Sequence, residues 1–444
     1  MKALMINHKS ENSGTATNKG LKWSVWNDII DIDDSHVVIF NTLARNAILV
    51  NREILNTIPT GQEYVSLGFL VNADTDEVSD WEDSYCRAKT DMTYIDLTIL
   101  LTHQCQMKCQ YCFEGDKDST SISDGSMQAI MDFLKAHKDT CNRLRVTWFG
   151  GEPLLNYPKL REMSMRLIEF CRGNEIQYSG DITTNAFALT PKRCSEMVNE
   201  LNVKRFIITL DGPAEVHDRR RPLRSGFPTF NRIWENIGHL IDAGARVTIR
   251  MTIDRENAPF IQEFLKKIAE SPYAGKVGIS FCRTIDYNFT PEHIRSLLYS
   301  EKEFAEVEWG LIQAAHSLGL YRYSFPYAAP KGGCLRKGDV VVGSDGVIYK
   351  CLDTVGDKRW AITSIDKFNL PDETPRWYEE WSEWKPSQSP ACSQCVLRPL
   401  CNGGCPHNAL FRDKKHGSNL QCPDWKPNYR RQIIELVKEN DQAL

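Results

Sequence analysis

Ten of the fifteen cysteines in this 444-residue chain fall into two groups with regular spacing. Three of them, Cys105, Cys109 and Cys112, form a CxxxCxxC pattern, and seven lie between positions 334 and 422. The other five are isolated and are expected to be small buried apolar residues; they are Cys86, Cys141, Cys171, Cys194 and Cys282. Regularly spaced cysteines are kept for metals or catalysis in a reducing compartment, and not for disulfides. The cysteine pattern therefore predicts a fold built partly around metal.

Charge and hydropathy exclude several classes of partner. The chain has 54 Lys and Arg against 58 Asp and Glu, a net charge of −4, and thus no general basic field for nucleic acid or anionic lipid. No apolar run approaches the roughly 18 residues that a membrane span needs. The N-terminus is polar and lacks the apolar core of a signal peptide. We therefore expect a cytoplasmic protein with neither a nucleic-acid nor a membrane partner.

The residue pattern divides the chain into six segments. Residues 1–18 are expected to be a disordered tail, 19–75 a small α+β module, 76–91 an acidic linker, 92–325 a βα domain, 326–428 a Cys-rich domain and 429–444 a C-terminal helix. The Cys-rich segment has little apolar periodicity, so it needs another source of stability, which metal clusters would supply.

Between residues 92 and 325, apolar strands alternate with amphipathic helices, which is typical of βα units around a parallel sheet. Strands are predicted over 94–100, 144–148, 178–183, 205–210, 246–253 and 276–281, and helices over 123–137, 158–172, 190–200, 229–243, 258–270 and 291–318. Six such units predict an α/β fold, a partial (β/α)6 barrel resembling a TIM barrel.

The unusual polar and glycine motifs of this domain each follow a predicted strand. They are the cysteine triplet, Gly150-Gly151-Glu152-Pro153, Thr184-Asn185-Ala186 and Asp211-Gly212-Pro213. Because chemistry gathers at the carboxyl ends of parallel strands, we expect one active-site rim to hold all four.

Three thiolates on one loop can hold three irons of a [4Fe–4S] cluster and leave the fourth iron open to a small molecule. A zinc site is the alternative, since His103 is close in sequence and zinc takes four ligands. Tyr111 before the third cysteine and the motifs downstream favour the cluster.

A CxxxCxxC loop with Tyr111 before its last cysteine, after the first strand of a partial barrel, resembles the radical S-adenosylmethionine (SAM) superfamily. The resemblance implies that SAM binds the open iron and is cleaved to a 5′-deoxyadenosyl radical. It assigns cofactor contacts to Tyr111, Gly150, Gly151, Glu152, Asn185, Thr209 and Arg221. Arg219 and Arg220 stay as alternatives to Arg221, and His217 is expected to be structural. The rest of the pocket is expected near Ile279–Cys282.

The seven later cysteines resemble the SPASM domain, which holds two auxiliary [4Fe–4S] clusters; a pair of zinc ribbons is the alternative. Carried over by position, Cys334, Cys351 and Cys405 hold the first auxiliary cluster, and Cys392, Cys395, Cys401 and Cys422 hold the second. The protein would then carry three [4Fe–4S] clusters. Only three thiolates serve the first auxiliary cluster, so we expect it to have an open iron for a substrate thiolate or backbone donor.

The resemblance extends to maturases of ribosomally made peptides. It predicts hydrogen abstraction from a precursor peptide and formation of a thioether from Cys sulfur to carbon, or of a carbon–carbon crosslink. The implied partners are the precursor with its leader, which residues 19–75 either capture by strand addition or leave unbound as a structural extension, and an electron donor such as flavodoxin or ferredoxin. No general base is identified, and Asp339, Asp345 and Asp353 are candidates only because they lie near the auxiliary cysteines in sequence.

Two alternative functions stay open. One is maturation of a sulfatase Cys or Ser to formylglycine; such enzymes place Asp directly after the cysteine that matches Cys351, where this chain has Leu352 and then Asp353. The other is a redox or scaffold protein that uses its clusters only for electron transfer, although such a protein would need no SAM pocket.

Overall fold

The computed structural model describes residues 20–112, 114–115, 118–287, 290–329, 331–368, 374–411 and 422–441. The predicted tail at 1–18 lies outside the described residues. The chain forms two compact units. The first comprises the described residues within Met1–Lys89, Tyr323–Gly333 and Trp381–Leu444, and the second comprises those within Thr90–Arg322 and Cys334–Glu380.

The N-terminal part of the first unit is a small α+β arrangement. Its strands are β1 (Leu21–Trp23), β2 (Asn27–Asp31), β3 (His36–Asn41), β4 (Asn46–Asn51) and β5 (Leu70–Asn72), and its helices are α1 (Gln62–Ser66) and α2 (Glu77–Thr90). Strands β2, β3 and β4 form an antiparallel sheet, and β1 pairs antiparallel with β5.

The linker predicted at 76–91 is wrong, because α2 occupies it. Trp81 and Tyr85 lie one helical turn apart and are buried, and the Trp81 ring packs on Trp26 with 6.0 Å between ring centroids. The Glu77 carboxylate accepts hydrogen bonds from the Ser24 hydroxyl and from the Val25 backbone amide, in the turn between β1 and β2. The acidic residues that suggested a linker thus belong to an amphipathic helix.

The second unit contains six parallel strands that are adjacent in chain order. They are β6 (Tyr94–Leu100), β7 (Arg143–Phe149), β8 (Gln177–Thr184), β9 (Val203–Thr209), β10 (Arg246–Ile253) and β11 (Val277–Arg283). Their helices are α3 (Asp124–Ala136), α4 (Tyr157–Gly173), α5 (Pro191–Asn199), α6 (Ala214–Arg220), α7 (Phe230–Asp242), α8 (Ala258–Ala269), α9 (Glu292–Arg295) and α10 (Glu301–Ser317). The predicted partial barrel is confirmed, with the helix expected at 291–318 divided into α9 and α10.

Each strand of this sheet has one apolar and one largely polar face. Along β10, Val247, Ile249, Met251 and Ile253 are buried in the core beneath the helices, as the two-residue side-chain period requires. We call the opposite face, whose side chains alternate with these core residues, the inner face of the sheet.

The sheet continues beyond β6 into residues that were predicted to belong to another domain. Strand β12 (Asp339–Val342) pairs parallel with β6, and β13 (Val347–Tyr349) and β14 (Thr363–Ser364) follow in antiparallel order. The boundaries predicted for a separate domain at 326–428 are therefore wrong, because backbone pairing with β6 assigns residues 334–380 to the barrel unit.

The rest of the C-terminal region belongs to the first unit. It follows α11 (Arg376–Glu383) and contains α12 (Arg398–Cys401), α13 (Pro406–Leu410) and α14 (Tyr429–Asp441). Helix α14 packs Ile433 and Val437 on the β2–β3–β4 sheet, and Asp28 accepts a hydrogen bond from the Tyr429 hydroxyl at 2.7 Å. The helix predicted at 429–444 is thus part of the core of the first unit. Among the described residues, no helix combines the length and hydropathy that crossing a membrane would require.

Candidate functional site

A cavity of about 240 Å³ opens at the carboxyl ends of the six parallel strands of the second unit. Its walls include all three cysteines of the triplet and each residue predicted to contact the cofactor. These are Cys105, Cys109, Cys112, Tyr111, Gly150, Gly151, Glu152, Asn185, Thr209 and Arg221. Residues spread over more than a hundred positions of sequence therefore meet at one rim, as the strand-end rule predicts.

The loop that follows β6 and carries the three cysteines, residues 101–112, is called the cysteine loop. Gly150 and Gly151 let the loop after β7 lie directly against it. A Cβ on Gly151 would sit 2.3 Å from the His103 carbonyl oxygen, and one on Gly150, whose φ is +123°, would sit 2.3 Å from that of Thr102. The Gly151 amide donates to the Thr102 carbonyl at 2.9 Å, and the next amide donates to Gln104 at 2.8 Å. The close approach that the glycines permit is thus to the cysteine loop itself.

The Glu152 carboxylate braces the cavity wall. Its side chain is 1% exposed and accepts hydrogen bonds from the Thr184 hydroxyl (2.6 Å), the Asn185 amide (2.7 Å) and the Leu154 amide (3.0 Å). Burial raises the pKa of Glu152, and these three donors oppose that rise. Contact between Glu152 and a cofactor amine stays a prediction.

Asn185 connects the third strand to the cysteine loop. Its amide oxygen accepts from Gln106 and from the Phe187 backbone, which directs its amide nitrogen toward Cys105, with 3.9 Å between Nδ2 and Sγ. The orientation presents a donor to a thiol predicted to bind iron, and hydrogen bonds to cluster sulfurs tune the reduction potential.

Tyr111 and Arg221 form the opposite part of the wall. The Arg221 guanidinium donates to the Tyr111 hydroxyl at 2.8 Å, and that hydroxyl donates to Asp211. Burial raises the pKa of Tyr111, so the phenol stays protonated. The Nε atom of Arg221 is buried and has no hydrogen-bond partner among the described residues, which fits an anionic ligand.

The neighbouring arginines have other partners. Arg220 is fully buried and pairs bidentately with Asp254 at 2.8 and 2.9 Å, and exposed Arg219 pairs with Glu256. Only Arg221 of the three lines the cavity. His217 is buried, accepts from the Asp211 backbone amide at 3.3 Å and has a pKa lowered by burial, all of which describes a neutral structural histidine.

The remaining wall comes from residues that the sequence did not single out. The sequence predicted that part of the pocket would lie near Ile279–Cys282, but the cavity wall begins one residue later, at the end of β11. The residues of this remaining wall are Arg250, Thr252, Arg283, Thr284, Ile285 and Tyr287, with Met107, Lys108, Phe149 and Arg224 near the cysteine loop. Strand alternation could have identified Arg250 and Thr252, since both lie on the inner face of β10.

Four of the seven later cysteines come together in the first unit. Electrostatic interactions link Cys392 and Cys401 to Cys395, and Cys392 also to Cys422. Lys426 donates to Cys422 Sγ at 3.3 Å, and burial raises the pKa of Cys401 to about 11. The four thiols predicted for the second auxiliary cluster are therefore neighbours around one ammonium group.

The three cysteines predicted for the first auxiliary cluster lie in different units. Cys334 and Cys351 belong to the second unit, and Cys405, which precedes α13, belongs to the first. Their joint ligation of a cluster stays a prediction. Within the described part of the chain, no three His, Cys, Asp or Glu side chains converge around a single ion; a four-iron cluster holds its thiolates further apart than one ion does.

The three candidate aspartates have different surroundings. Burial raises the pKa of Asp339 to about 6. Asp345 is exposed and accepts from the Val347 amide in the turn between β12 and β13, so it acts as a turn residue. Asp353 accepts a hydrogen bond from the hydroxyl of Tyr287, which lines the cavity.

The prediction that the five isolated cysteines are buried is confirmed for three of them. Cys141, Cys171 and Cys194 are buried, whereas Cys86 and Cys282 are partly exposed.

Comparison with known proteins agrees with this geometry. Residues 99–268 match the model of the radical SAM superfamily. An uncharacterized protein of Methanocaldococcus jannaschii is 27% identical over 174 residues, 38% of this chain and 57% of that protein. A serine-type anaerobic sulfatase-maturating enzyme of Bacteroides thetaiotaomicron is 28% identical over 36% of this chain and 39% of its own length. The chain thus spans about half the length of these two relatives.

Longer but more distant matches follow. A cysteine-type anaerobic sulfatase-maturating enzyme of Clostridium perfringens is 22% identical over 75% of this chain and 94% of its own length. The structure of native anSMEcpe with bound AdoMet and a peptide has a TM-score of 0.58 at 17% identity, covering 79% of this chain and 99% of that one. Streptococcus suis SuiB bound to S-adenosylmethionine has a TM-score of 0.53 at 13% identity, covering 89% and 98%. The structural matches show the fold.

Proposed function

Because this chain carries a radical SAM domain, we propose that it cleaves SAM at the Cys105–Cys112 loop and uses the radical to modify a peptide. The observation that carries the proposal is the single cavity that joins the three cysteines to Gly150–Glu152, Asn185, Thr209 and Arg221. When bound, the cluster supplies the electron that converts SAM to methionine and a 5′-deoxyadenosyl radical. A flavodoxin or ferredoxin would supply that electron to the protein.

The chain's own residues bind and orient the reactants. The cysteine thiols would hold the cluster. The backbone amides of Gly151 and Glu152 donate hydrogen bonds to the loop that carries these cysteines and so hold that loop in place. Arg221 offers its unpartnered Nε to the SAM carboxylate, and the Tyr111 hydroxyl, which donates to Asp211, holds the guanidinium in place. Buried Glu152 and Asn185 shield part of the cavity wall from solvent.

A peptide is the proposed substrate class because relatives with the same fold are bound to or named for such substrates. One structure of SuiB is bound to the precursor peptide SuiA, and one of anSMEcpe is bound to a peptide. The proposed reaction removes one hydrogen atom from the peptide to form 5′-deoxyadenosine. The carbon radical then closes on a Cys sulfur or on another carbon with loss of a proton, and the remaining electron would pass to the auxiliary clusters that the later cysteines would hold.

Maturation of a sulfatase to formylglycine is the second candidate, and the two named sulfatase-maturating relatives support it. The two outcomes differ chemically, since formylglycine carries an aldehyde and a crosslink does not. Product that reacts with a hydrazine reagent would identify the maturase, and unreactive product with two hydrogens fewer would identify the crosslink.

The experiment for the peptide proposal follows the abstracted hydrogen. Reconstituted, reduced protein is incubated with SAM and with peptides encoded next to its gene, synthesised with deuterated Cys, Ser or aromatic residues. Deuterium in the recovered 5′-deoxyadenosine is expected for the true substrate. Deoxyadenosine that stays free of deuterium with every peptide would reject the peptide class while leaving SAM cleavage intact.

The auxiliary clusters are part of the same proposal. The grouping of Cys392, Cys395, Cys401 and Cys422 supports the second, and the cysteine spacing alone supports the first, at Cys334, Cys351 and Cys405. Three clusters require about twelve irons per chain. Reconstituted protein with close to eight irons would remove one auxiliary cluster.

A further inference from the structure

Arg250 lies on the inner face of the sheet and has no ion-pair partner in the described part of the chain. It lies in β10 between Thr209 of β9 and Ser280 of β11, its two register partners, and neither can neutralise it. Its side chain lines the cavity and is exposed. Among the described residues, no hydrogen bond or ion pair involves its guanidinium.

Two other inner-face arginines of this sheet are paired with a carboxylate on the neighbouring strand. Arg145 of β7 pairs with Asp96 of β6. Arg205 of β9 pairs bidentately with Asp181 of β8, with 2.8 Å between Nε and Oδ1. The charges of these two arginines are balanced by carboxylates within the sheet, whereas the guanidinium of Arg250 remains available to a ligand.

Arg250 and Arg221 act at different places in the cavity. Arg221 lies beside the cysteine loop, since its guanidinium donates to the hydroxyl of Tyr111, which directly precedes Cys112. Arg250 lies on β10 and lines the cavity together with Tyr287, which follows β11. One cation therefore stands beside the proposed cluster, and the other stands on the β10–β11 side of the cavity.

The carboxylate of SAM can occupy only one of these cations. Arg221 is the better partner for it, because it adjoins the cysteine loop and has a buried, unpartnered Nε. Arg250 then keeps an unpartnered guanidinium on the wall of the cavity in which the second reactant has to bind. A carboxylate on that reactant would pair with it.

We propose that Arg250 binds an acidic side chain of the substrate peptide, so that the enzyme selects segments with Asp or Glu next to the residue it modifies. This inference rests on the proposed peptide substrate. The guanidinium fork and a carboxylate match in geometry and charge, which an amide of the same shape cannot reproduce.

The test uses reconstituted, SAM-loaded full-length protein and a set of acetylated, amidated peptides of sequence Gly-Ser-Cys-Gly-Ser. One position at a time carries Asp or, in a matched twin, Asn, and binding is measured by calorimetry. Wild type is expected to bind at least one Asp peptide about tenfold or more tightly than its Asn twin. Capped ends ensure that the side chain, and not a terminal carboxylate, supplies the charge.

Two variants and a control make the result specific. Arg250→Gln is expected to lose the Asp preference, and Arg250→Glu to bind the Asp peptide more weakly than its Asn twin. Arg246→Gln is the matched control, because Arg246 lies four residues, or two strand periods, earlier on the same strand face, is exposed and does not line the cavity. This variant should keep the preference.

Several results would overturn the assignment. Equal binding of every Asp and Asn pair by wild type, absence of binding by both, or a preference that persists in Arg250→Gln would each refute it. A loss of SAM affinity in Arg250→Gln that matches any loss of peptide affinity would show that Arg250 holds the cofactor instead. Failure of the proposed function is read separately, as absence of 5′-deoxyadenosine from wild type.

Discussion

Gly151→Ala tests whether the two loops of the candidate site must touch. The added Cβ would lie 2.3 Å from the His103 carbonyl oxygen and 2.4 Å from that of Gln104, where ordinary contact begins at 3.4 Å. Both neighbours are backbone atoms, so no side-chain rotation can relieve the overlap. The loops must separate by about 1 Å, which strains the hydrogen bond from the Glu152 amide to Gln104.

We expect this separation to cost about 3 kcal/mol, from overpacking together with a weakened buried hydrogen bond. A penalty of that size lowers the fraction of molecules in the reactive geometry about a hundredfold. The initial rate of 5′-deoxyadenosine formation should fall by the same factor. The assay is that rate, measured anaerobically at saturating SAM, together with iron retained per chain.

Gly173→Ala is the matched control, because its Cβ would meet nothing within 4 Å and it ends α4 far from the cysteine loop in sequence. The control should keep wild-type rate and iron content. If the rate of Gly151→Ala also stayed within about twofold of the wild-type rate, close contact between the two loops would not be required for SAM cleavage.

Three further predictions concern the surroundings of the proposed clusters and the barrel. Lys426→Met removes the ammonium that donates to Cys422 and should lower the reduction potential of the second auxiliary cluster; an unchanged potential in an EPR-monitored titration would contradict this. Asn185→Asp keeps the acceptor oxygen but replaces the donor near Cys105 with a negative charge, so the potential of the first cluster should fall, and a rise would be inconsistent with the geometry. Burial raises the pKa of Asp339 from 3.8 to about 6, so the unfolded chain loses this proton first and folding stability should fall as pH rises from about 4 to about 6; Asp339→Asn should flatten that part of the denaturation profile, and an unaltered slope would refute the shift.

Local periodicity was sufficient to predict the barrel strands. Tyr94–Leu100 and Arg246–Ile253 have the bounds predicted for them, because their apolar and polar residues alternate and their ends carry polar or glycine motifs. The rim motifs could be predicted for the same reason, since each directly follows a strand.

Features that depend on distant pairing could not be predicted in this way. Nothing within residues 334–380 indicates that β12 pairs with β6, and nothing within α2 shows that Trp81 will pack on Trp26. The free position of Arg250 likewise follows only from knowing that Thr209 and Ser280 are its register partners.

We propose that Cys105, Cys109 and Cys112 hold the cluster that starts the radical reaction on SAM. The most direct measurement is 5′-deoxyadenosine formed by anaerobically reconstituted, reduced protein, compared among wild type, the triple Cys105→Ala, Cys109→Ala, Cys112→Ala variant and Cys86→Ala, an isolated cysteine in the other unit. Wild type and Cys86→Ala should both form the product, and the triple variant should form none. Product from the triple variant, or none from cluster-loaded wild type, would show that these three cysteines do not start a radical reaction on SAM.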